Sequence, residues 1–295
     1  MNSGNGKPER SWRLRLANER EWTFAATAPL SPLLDAFAGI LNLRQANPAD
    51  EGPRLLFRRR RDLPAPSGTA YELGNVTLRR EAADPDWSCT FNGRRGRKRD
   101  IAFMRYGLMA VYVDAMARGG FPCHGGLLSW QGRGILIAGA SGTGKSTICR
   151  RLSSTGAVLC DEETLVVCDG QGRYWGHPFP TWSRLFENPE PQSWPAQKAV
   201  PLEGIFFVFP AGNDQCRPIG PGEAAACLTR MALDKSVRGW GGLTKETLIE
   251  MNQQIFANVC LLVSRVPAAR LNVSLTGDIE EAFAKACQGL WGKAR

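Results

Sequence analysis

The chain has 295 residues and a net charge of +9, and 43% of its residues are hydrophobic. No apolar run reaches the length of about 20 residues that a membrane-spanning helix needs, so the composition excludes such a span and predicts a globular protein of one large or two smaller domains. The polar N-terminus lacks the apolar core of a secretory signal, so we expect a cytoplasmic protein without a membrane partner. The nine cysteines lie singly, without CxxC or Cys/His spacing, and predict reduced thiols rather than a zinc site or a disulfide framework.

The positive charge is concentrated near the N-terminus. The first 123 residues contain 20 Lys and Arg against 13 Asp and Glu, with arginine clusters at residues 58–61 (RRRR) and 94–99 (RRGRKR). Solvated loop tips are the interpretation we favour for these clusters, and a docking face for an acidic protein or peptide is the first alternative. Nucleic acid is the least favoured partner, because no aromatic residues interleave with the arginines and no helix-turn-helix or zinc finger accompanies them.

The first 120 residues have the pattern of a small α+β domain. Period-two alternation predicts strands in WRLRLA and WTFAAT, further strands and turns in GTAYELGNVTLRREA and WSCTFNGRRG, and a short helix in LSPLLDAFAGILNL. The stretch RDIAFMRYGLMAVYVDAMARGG has apolar residues at helical spacing and predicts one helix that ends at Gly119 and Gly120. We therefore predict a basic N-terminal domain at residues 1–120, with substrate recognition as its hypothetical role.

From residue 121 the pattern changes to strand, glycine loop, helix and strand, in GILIAGA, KSTICRRLSST and AVLC, with the helix ending at Gly156. A hairpin is predicted in TLVVCDGQGRYWGHPFP and a core strand in LEGIFFVFPA. Helices are predicted in GPGEAAACLTRMA, TKETLIEMNQQIFANVCLLVS and IEEAFAKACQGLW, and an exposed loop in NPEPQSWPAQ. The alternation of strands and helices predicts an α/β domain at residues 121–295.

The segment GASGTGKS fits the pattern GxxxxGK[ST] and lies between an apolar strand and a helix, as a phosphate-binding loop does. Its glycines let backbone N–H groups curl around phosphate oxygens, Lys145 should reach the β- and γ-phosphates, and Ser146 should ligate Mg²⁺. A glycine-rich turn without a ligand is the alternative, but such a turn needs neither the lysine nor the hydroxyl. ATP and Mg²⁺ are thus the expected cofactors, and the expected nucleotide-binding residues are Gly139, Ala140, Ser141, Gly142, Thr143, Gly144, Lys145, Ser146 and Thr147.

An acidic pair, Asp161 and Glu162, follows Lys145 by 16 residues. A helix of about eleven residues descends roughly 16 Å, and about five extended residues on a parallel neighbouring strand climb the same distance back. The pair should therefore return level with the loop. One carboxylate would hold Mg²⁺ and the other would orient or deprotonate a nucleophile, the alternative being a pair of solvated charges at a turn.

In combination these features resemble the catalytic core of HPr kinase/phosphorylases and the broader group of HPr-kinase-related P-loop kinases. In that pattern an HG pair, here His124 and Gly125, precedes the loop by about fifteen residues, and a short helix, a glycine and an acidic pair follow it. The close match covers about 45 residues. More loosely, PFPTWSRL, FFVFPAGNDQCRPIGPGEAAACL and VPAARLNV resemble kinases of this kind found beside peptide-modification genes, including those that phosphorylate lasso-peptide precursors.

The resemblance implies a P-loop domain with a mixed central sheet and flanking helices. It also implies roles for three residues: Asp161 as general base on a serine hydroxyl, Glu162 as a metal or water ligand, and His124 as a neighbour of the γ-phosphate. Ser146, Asp161 and Glu162 would form the metal site. Arg184 is a candidate cation for the transferring phosphoryl group, with a surface arginine as the alternative.

The function we predict is an ATP- and Mg²⁺-dependent kinase that transfers the γ-phosphoryl group to a Ser/Thr hydroxyl of a peptide or small protein. The glycine- and arginine-containing signature that HPr kinase/phosphorylases carry after the acidic pair is not recognisable in YWGHPFPTWSRLFENPEPQ, so phosphorylase activity and HPr as substrate are not expected. Two alternatives stay open: a nucleotide-binding regulatory or peptide-handling module with weak ATPase activity, and a small-molecule hydroxyl kinase. Rings are common among HPr kinases, so a homo-oligomer is also open.

Overall fold

The computed structural model describes residues 10–47, 52–60, 69–80, 86–91, 96–140, 142–153, 158–187, 192–236, 243–274 and 277–291. Within these residues the chain forms a seven-stranded sheet, a pair of connecting helices and a nine-stranded sheet with flanking helices. The predicted α/β class is therefore confirmed, and both sheets are mixed.

The N-terminal sheet contains the strands that period-two alternation predicts. They are β1 (Ser11–Arg15), β2 (Glu21–Ala26), β3 (Arg44–Gln45), β4 (Arg54–Arg59), β5 (Thr69–Leu73), β6 (Val76–Arg80) and β7 (Trp87–Phe91), with α1 (Ser31–Ile40) between β2 and β3. Their order is β3-β1-β2-β4-β7-β6-β5, and only the pairs β2–β4 and β4–β7 are parallel. One face packs against α1, where the rings of Phe24, Phe37 and Phe57 lie with centroids 5.8 to 6.4 Å apart.

The interpretation of the arginine clusters as loop tips is wrong for Arg58, Arg59 and residues 97–99, whereas Arg60 follows β4 and is exposed. Arg58 and Arg59 end β4, so their side chains leave opposite faces of the sheet. Residues 97–99 open the helix α2 (Arg97–Met104). Arg61, Arg94 and Arg95 lie outside the described residues.

Two helices, rather than the single predicted helix, connect the sheets. A 3-10 turn (Arg105–Gly107) separates α2 from α3 (Leu108–Ala117). A Cβ on Gly107 would lie 2.8 Å from the ring of Phe57 and 2.9 Å from the side chain of Leu55, so the chain passes too close to the sheet for any side chain there. Apolar spacing does not detect this break, because both helices keep the same buried side. The predicted stop after α3 is confirmed, with Gly119 at φ 84°.

The second sheet and its helices include the predicted elements, together with four strands and one short helix that the sequence pattern did not predict. The strands are β8 (Phe121–Cys123), β9 (Gly125–Trp130), β10 (Arg133–Ala138), β11 (Val158–Cys160), β12 (Glu163–Cys168), β13 (Tyr174–Phe179), β14 (Val200–Pro210), β15 (Gln215–Ile219) and β16 (Ala268–Val273). The helices are α4 (Lys145–Arg151), α5 (Trp182–Glu187), α6 (Pro221–Ser236), α7 (Lys245–Val263) and α8 (Ile279–Trp291). The elements that were not predicted are β8, β9, β15, β16 and α5.

The strand order is β11-β9-β10-β14-β13-β12-β8, with β16 beside β14 and β15 beside β16. The strands β10, β14 and β16 are parallel to one another, and the remaining pairs are antiparallel. The predicted hairpin is formed by β12 and β13. None of the helices in the described part of the chain is long and apolar enough to cross a bilayer.

The segment NPEPQSWPAQ is not an exposed loop throughout. Residues 188–191 lie outside the described residues, but Trp194 and Ala196 are buried. Their N–H groups donate to the carbonyl oxygens of Ile40 and Leu41, at 2.7 and 3.2 Å. The prolines mark a segment without regular structure. Its backbone hydrogen bonds go to the last residue of α1 and to the residue after it, so the segment joins the two sheets.

One cluster of buried apolar side chains runs from Leu14 in β1 to Ala268 in β16 and includes both sheets. A smaller second cluster lies between β10 and α8, around Phe206 and Phe283. The division into domains at residue 120 stays a prediction.

His177 joins the two halves of this core. It lies in β13 with no exposed surface. Its Nδ1–H donates to the carbonyl of Ala196 at 2.8 Å, and its Nε2 accepts the N–H of Ala17, just after β1, at 3.0 Å. Burial lowers the pKa of His177 from 6.5 to about 4, because the charged imidazolium would lose its hydration. The neutral ring uses both nitrogens as hydrogen-bond partners.

The pKa of His177 predicts a pH dependence of folding. The unfolded chain binds the proton below pH 6.5 and the folded chain only near pH 4. The stabilisation is therefore complete above pH 6.5 and is lost as the pH falls towards 4. Its loss should lower the free energy of unfolding by about 2 kcal/mol as the pH falls from 7 to 5. Urea unfolding at pH 7, 6 and 5 should show that His177→Gln has a flatter pH dependence than the wild type, and equal slopes would contradict the assignment.

Candidate functional site

The GASGTGKS segment connects the carboxyl end of β10 to α4. Gly142 and Gly144 have φ of 81° and 92°, in the left-handed region that glycine tolerates. A Cβ on either residue would meet nothing within 4 Å, so backbone conformation rather than space selects glycine there. Gly139 has the opposite constraint, because a Cβ on it would lie 2.7 Å from the Thr143 hydroxyl. That hydroxyl donates to the carbonyl of Ala140 at 2.8 Å, so the loop is shaped by its own residues.

Lys145 is the first residue of α4 and is 5% exposed. Its ammonium donates to the carbonyl oxygens of Gly139 and Ala140, at 2.7 and 2.9 Å. The cation is thus held inside the loop, where its charge is partly offset by two peptide dipoles. Ser146 is exposed and Thr147 is half-buried on the first turn of the helix, and Ser141 lies outside the described residues.

The second group of candidate residues lies where two chain connections face each other. His124 is the single residue between β8 and β9, and Asp161 and Glu162 are the two residues between β11 and β12. Because β8 pairs with β12 and β9 pairs with β11, the two connections must meet. Nδ1 of His124 lies 2.8 Å from the carbonyl oxygen of Glu162, and since a carbonyl only accepts, Nδ1 carries the proton.

The acidic pair does not return on a strand adjacent to β10. The strand β9 lies between β10 and β11 and is antiparallel to both. The pair is nevertheless level with the loop, because Gly126 pairs with Ile137 near the end of β10, and a Cβ on Gly126 would lie 3.4 Å from the Cα of Asp161. The helix is also shorter than expected, since α4 ends at Arg151, and residues 154–157, including Gly156, lie outside the described residues.

Each of the three consecutive acidic side chains accepts a hydrogen bond from a hydroxyl. Asp161, which is 6% exposed, accepts from Thr181 at 2.5 Å. Glu162 accepts from Ser183 at 2.9 Å, and Glu163 accepts from a tyrosine of α3 at 2.5 Å. Because a buried carboxylate without donors is costly, the hydroxyl of Thr181 stabilises the buried Asp161. Glu162 and Glu163 are only half-buried.

The tyrosine that binds Glu163 is Tyr112, which is 4% exposed. Burial and, second, the charge of the Glu163 carboxylate raise the pKa of Tyr112 well above its usual value. The phenol therefore stays protonated and acts as a permanent donor. Its ring meets the edge of Phe179 at a centroid distance of 5.7 Å, which ties α3 to the end of β13.

The segment that binds the acidic pair is anchored on the N-terminal sheet. Trp182, between the two hydroxyl donors, is 4% exposed and stacks on Phe37 of α1, with centroids 6.0 Å apart and planes 18° apart. The guanidinium carbon of Arg105 lies 6.0 Å from the centroid of the same tryptophan ring. The orientation of the two carboxylates therefore depends on packing between the sheets.

Two thiols lie beside the candidate residues. Burial raises the pKa of Cys123 and of Cys160 to about 12; the charge of Lys145 opposes the shift at Cys123, and the charge of Asp161 adds to it at Cys160. Both thiols are protonated at neutral pH, so neither supplies a thiolate nucleophile.

Sequence reasoning assigned no role to Thr181, Ser183 or Tyr112. The register of the predicted hairpin carries a signal for the first of them. Glu163 pairs with Phe179 in antiparallel strands, so Asp161, two residues before Glu163, falls opposite Thr181, two residues after Phe179. Tyr112 has no comparable signal, because only packing brings α3 to β12. The side chain of Arg184 lies outside what the structure describes.

Comparison with known proteins gives a consistent set of relatives. The model of the family "SynChlorMet cassette protein ScmC" matches residues 87–288. HPr kinase/phosphorylases from two strains of Streptococcus thermophilus are 25% identical over 176 residues, which is 59% of this chain and 49% of theirs. The chain thus spans about half the length of these curated relatives. The HPr(Ser) kinase/phosphatase from Coxiella burnetii matches 59% of this chain and 92% of its own, with 10% identity and a TM-score of 0.33. The resemblance inferred from the loop and the acidic pair is confirmed by the sequence relatives.

The bond between Thr181 and Asp161 predicts a separable effect on stability. Thr181→Val keeps the shape of the side chain but removes a donor to a buried carboxylate, and should lower the free energy of unfolding by about 1–3 kcal/mol. Thr181→Ser keeps the hydroxyl and loses one methyl group, for a cost of about 1 kcal/mol or less. Urea unfolding at neutral pH measures both. A valine variant as stable as the serine variant would show that the hydroxyl is not what holds Asp161.

Proposed function

The chain belongs to the SynChlorMet cassette protein ScmC family, and from that premise we propose that it is a kinase that uses ATP and Mg²⁺. It would transfer the γ-phosphoryl group to a Ser/Thr hydroxyl of a peptide or small protein. The observation that carries this proposal is the position of Asp161: a buried carboxylate, oriented by a hydroxyl, level with the loop that holds Lys145. The similarity to proteins named HPr kinase/phosphorylases supports the same chemistry.

The residues present fit a magnesium nucleotide. The glycine conformations leave open space over Gly142 and Gly144, where a phosphate could approach the backbone. Residues 139–147 would hold the triphosphate, with Lys145 as the cation, and Ser146, Asp161 and Glu162 offer the oxygen ligands that Mg²⁺ prefers. When bound, the magnesium nucleotide supplies the phosphoryl group and offsets negative charge as it transfers.

Asp161 would act as the general base. Its Oδ1 accepts the Thr181 hydroxyl, which fixes the plane of the carboxylate, and the group would take the proton from the acceptor hydroxyl as the oxygen attacks. Glu162 would bind metal or water, with its side chain oriented by Ser183. His124, whose ring is fixed by the carbonyl of Glu162, would lie beside the transferred group.

The peptide acceptor and the homo-oligomer are parts of this proposal that rest on resemblance, and the cytoplasmic location stays a prediction. A peptide or small-protein acceptor follows from the likeness to kinases found beside peptide-modification genes. An assay has to distinguish this peptide kinase from the two alternatives. A module with weak ATPase activity would release phosphate without any acceptor, and a small-molecule kinase would leave every peptide unlabelled.

Lys145→Ala should abolish both tight ATP binding and transfer, because the loop amides alone lack a cation over the β- and γ-phosphates. Isothermal titration with ATP and Mg²⁺ measures the binding. Transfer is measured with ATP labelled at the γ-phosphate and a pool of Ser/Thr peptides, followed by mass spectrometry. Phosphate release with no labelled peptide would favour the ATPase module, and an unchanged dissociation constant in the variant would remove the loop from the mechanism.

Asp161→Asn should keep ATP binding within about tenfold but lower turnover by roughly 10² or more, as loss of a general base does. Glu162→Gln is the matched control, since it changes the neighbouring carboxylate in the same way. Steady-state transfer rates at saturating ATP compare the two variants. Turnover of the Asp161 variant within twofold of the wild type would falsify the assignment of the base, and a loss confined to ATP binding would make Asp161 chiefly a metal ligand.

A further inference from the structure

The N-terminal sheet has one packed face and one outer face, and the outer face is the one opposite α1. In β4, Leu55 and Phe57 are fully buried, so Arg54, Leu56 and Arg58 project from the outer face. In β1, Leu14 is buried, which places its neighbours Arg13 and Arg15 on the same outer face. Strand register extends this assignment across the sheet.

The outer face is rich in arginine. Arg13 pairs with Arg44 on one side and with Thr23 on the other, and Thr23 pairs with Arg54. Arg79 pairs with Ser88 and, through it, shares a row with Leu56. The outer face therefore carries six arginines against three acidic residues: Arg13, Arg15, Arg44, Arg54, Arg58 and Arg79 against Glu21, Glu72 and Asp86.

Folding alone does not account for this arrangement. Like charges directly opposite on neighbouring strands, as in Arg13 and Arg44, destabilise a sheet. Glu21 forms ion pairs with Arg13 and Arg15, at 3.3 and 3.4 Å, and so serves two of the six cations. Among the described residues no acidic side chain forms an ion pair with Arg54, Arg58 or Arg79.

Two of these guanidinium groups also have unused donors. The Nε atoms of Arg58 and Arg79 are buried and have no hydrogen-bond partner, which is also true of Arg59 on the packed face. Between them lie Thr90 and Ser88, small residues that are 2% and 6% exposed. The two arginines thus flank a narrow polar strip. A planar guanidinium group can bind a carboxylate through two parallel hydrogen bonds, so this strip suits an acidic ligand.

We propose that the outer face docks an acidic segment of the acceptor peptide. Five strand spacings separate β3 from β6, a distance of about 24 Å at roughly 4.8 Å each, and about seven extended residues would cover it. The end of the face near Arg15 adjoins the segment between α5 and β14, because the backbone N–H of Arg15 donates to the side chain of Gln197 at 3.1 Å. The identity of the bound segment as part of the phosphoryl acceptor rests on the proposed function.

An acidic peptide fits this face better than nucleic acid. Binding of single strands uses aromatic rings on which bases stack. The aromatic residues of these strands, among them Trp22, Phe24, Phe57 and Trp87, alternate onto the packed face. The outer positions in the described strands hold arginine, small polar and acidic side chains together with the aliphatic Ala25 and Leu56.

The test compares two double variants that remove the same charge from the same two strands. Arg58→Gln with Arg79→Gln changes the outer face. Arg59→Gln with Arg80→Gln changes the neighbouring residues, which pair with Phe91 and Trp87 on the packed face. Fluorescence anisotropy of a labelled decaglutamate peptide, added to the full chain at low salt without nucleotide, measures binding. We expect about tenfold weaker binding for the outer pair, less than twofold for the control, and loss of binding at high salt.

Equal weakening by both pairs would overturn the proposal, because net charge and not the outer face would then be responsible. Absence of decaglutamate binding by the wild type, with thermal unfolding confirming a folded chain, would overturn it as well. Tighter binding of labelled decauridylate than of decaglutamate would replace it with a nucleic-acid surface. Because no nucleotide is present, Lys145→Ala should bind decaglutamate as the wild type does, so a failed transfer assay leaves the docking result intact.

Discussion

Two chain connections of the nine-stranded sheet cross next to each other: His124 connects β8 to β9, and Asp161 and Glu162 connect β11 to β12. The two connections lie side by side there, because β8 and β9 are consecutive in the chain and pair with β12 and β11, which are also consecutive. The close approach requires glycine. A Cβ on Gly125 would lie 2.8 Å from a backbone carbonyl of β10, and one on Gly126 would lie 2.7 Å from a thiol of α4. The same two glycines therefore allow the loop helix and the acidic pair to share one end of the sheet.

Buried charge has to be offset at this crossing, and hydroxyls and carbonyls of the chain supply part of that offset. Lys145 is held by two carbonyls of its own loop, and Asp161 by the hydroxyl of Thr181. Such neutral partners lower the cost of desolvating a charge without cancelling the charge itself, which an opposite charge would do. The segment that carries Thr181 is in turn held by the stack of Trp182 on Phe37, so the N-terminal sheet contributes to the geometry of the site.

The region of similarity and the packed core have different extents. The family match begins at residue 87, within the last strand of the N-terminal sheet in chain order, and runs to residue 288. The apolar core, in contrast, extends through both sheets, and His177 joins them by hydrogen bonds to Ala17 and Ala196. The packed face of the N-terminal sheet therefore supports the segment that carries Thr181 through α1, while six arginines of the described strands occupy the other face. Alternation along a strand makes this possible, because it separates neighbours such as Arg58 and Arg59 onto surfaces with different environments.

The sequence by itself determined the local elements: the strand, loop and helix around GASGTGKS, the hairpin, the helix stop at Gly119, and the return of Asp161 to the level of the loop. These follow from periods, stop signals and rise per residue, which act over a few neighbours. Only the tertiary structure decided which strands are adjacent, so the interposed β9, the break at Gly107 and the contact of Tyr112 with Glu163 could not be predicted. The physical reason is that pairing and packing join residues far apart in the chain, and their free energy depends on the shape of both surfaces rather than on either sequence segment alone.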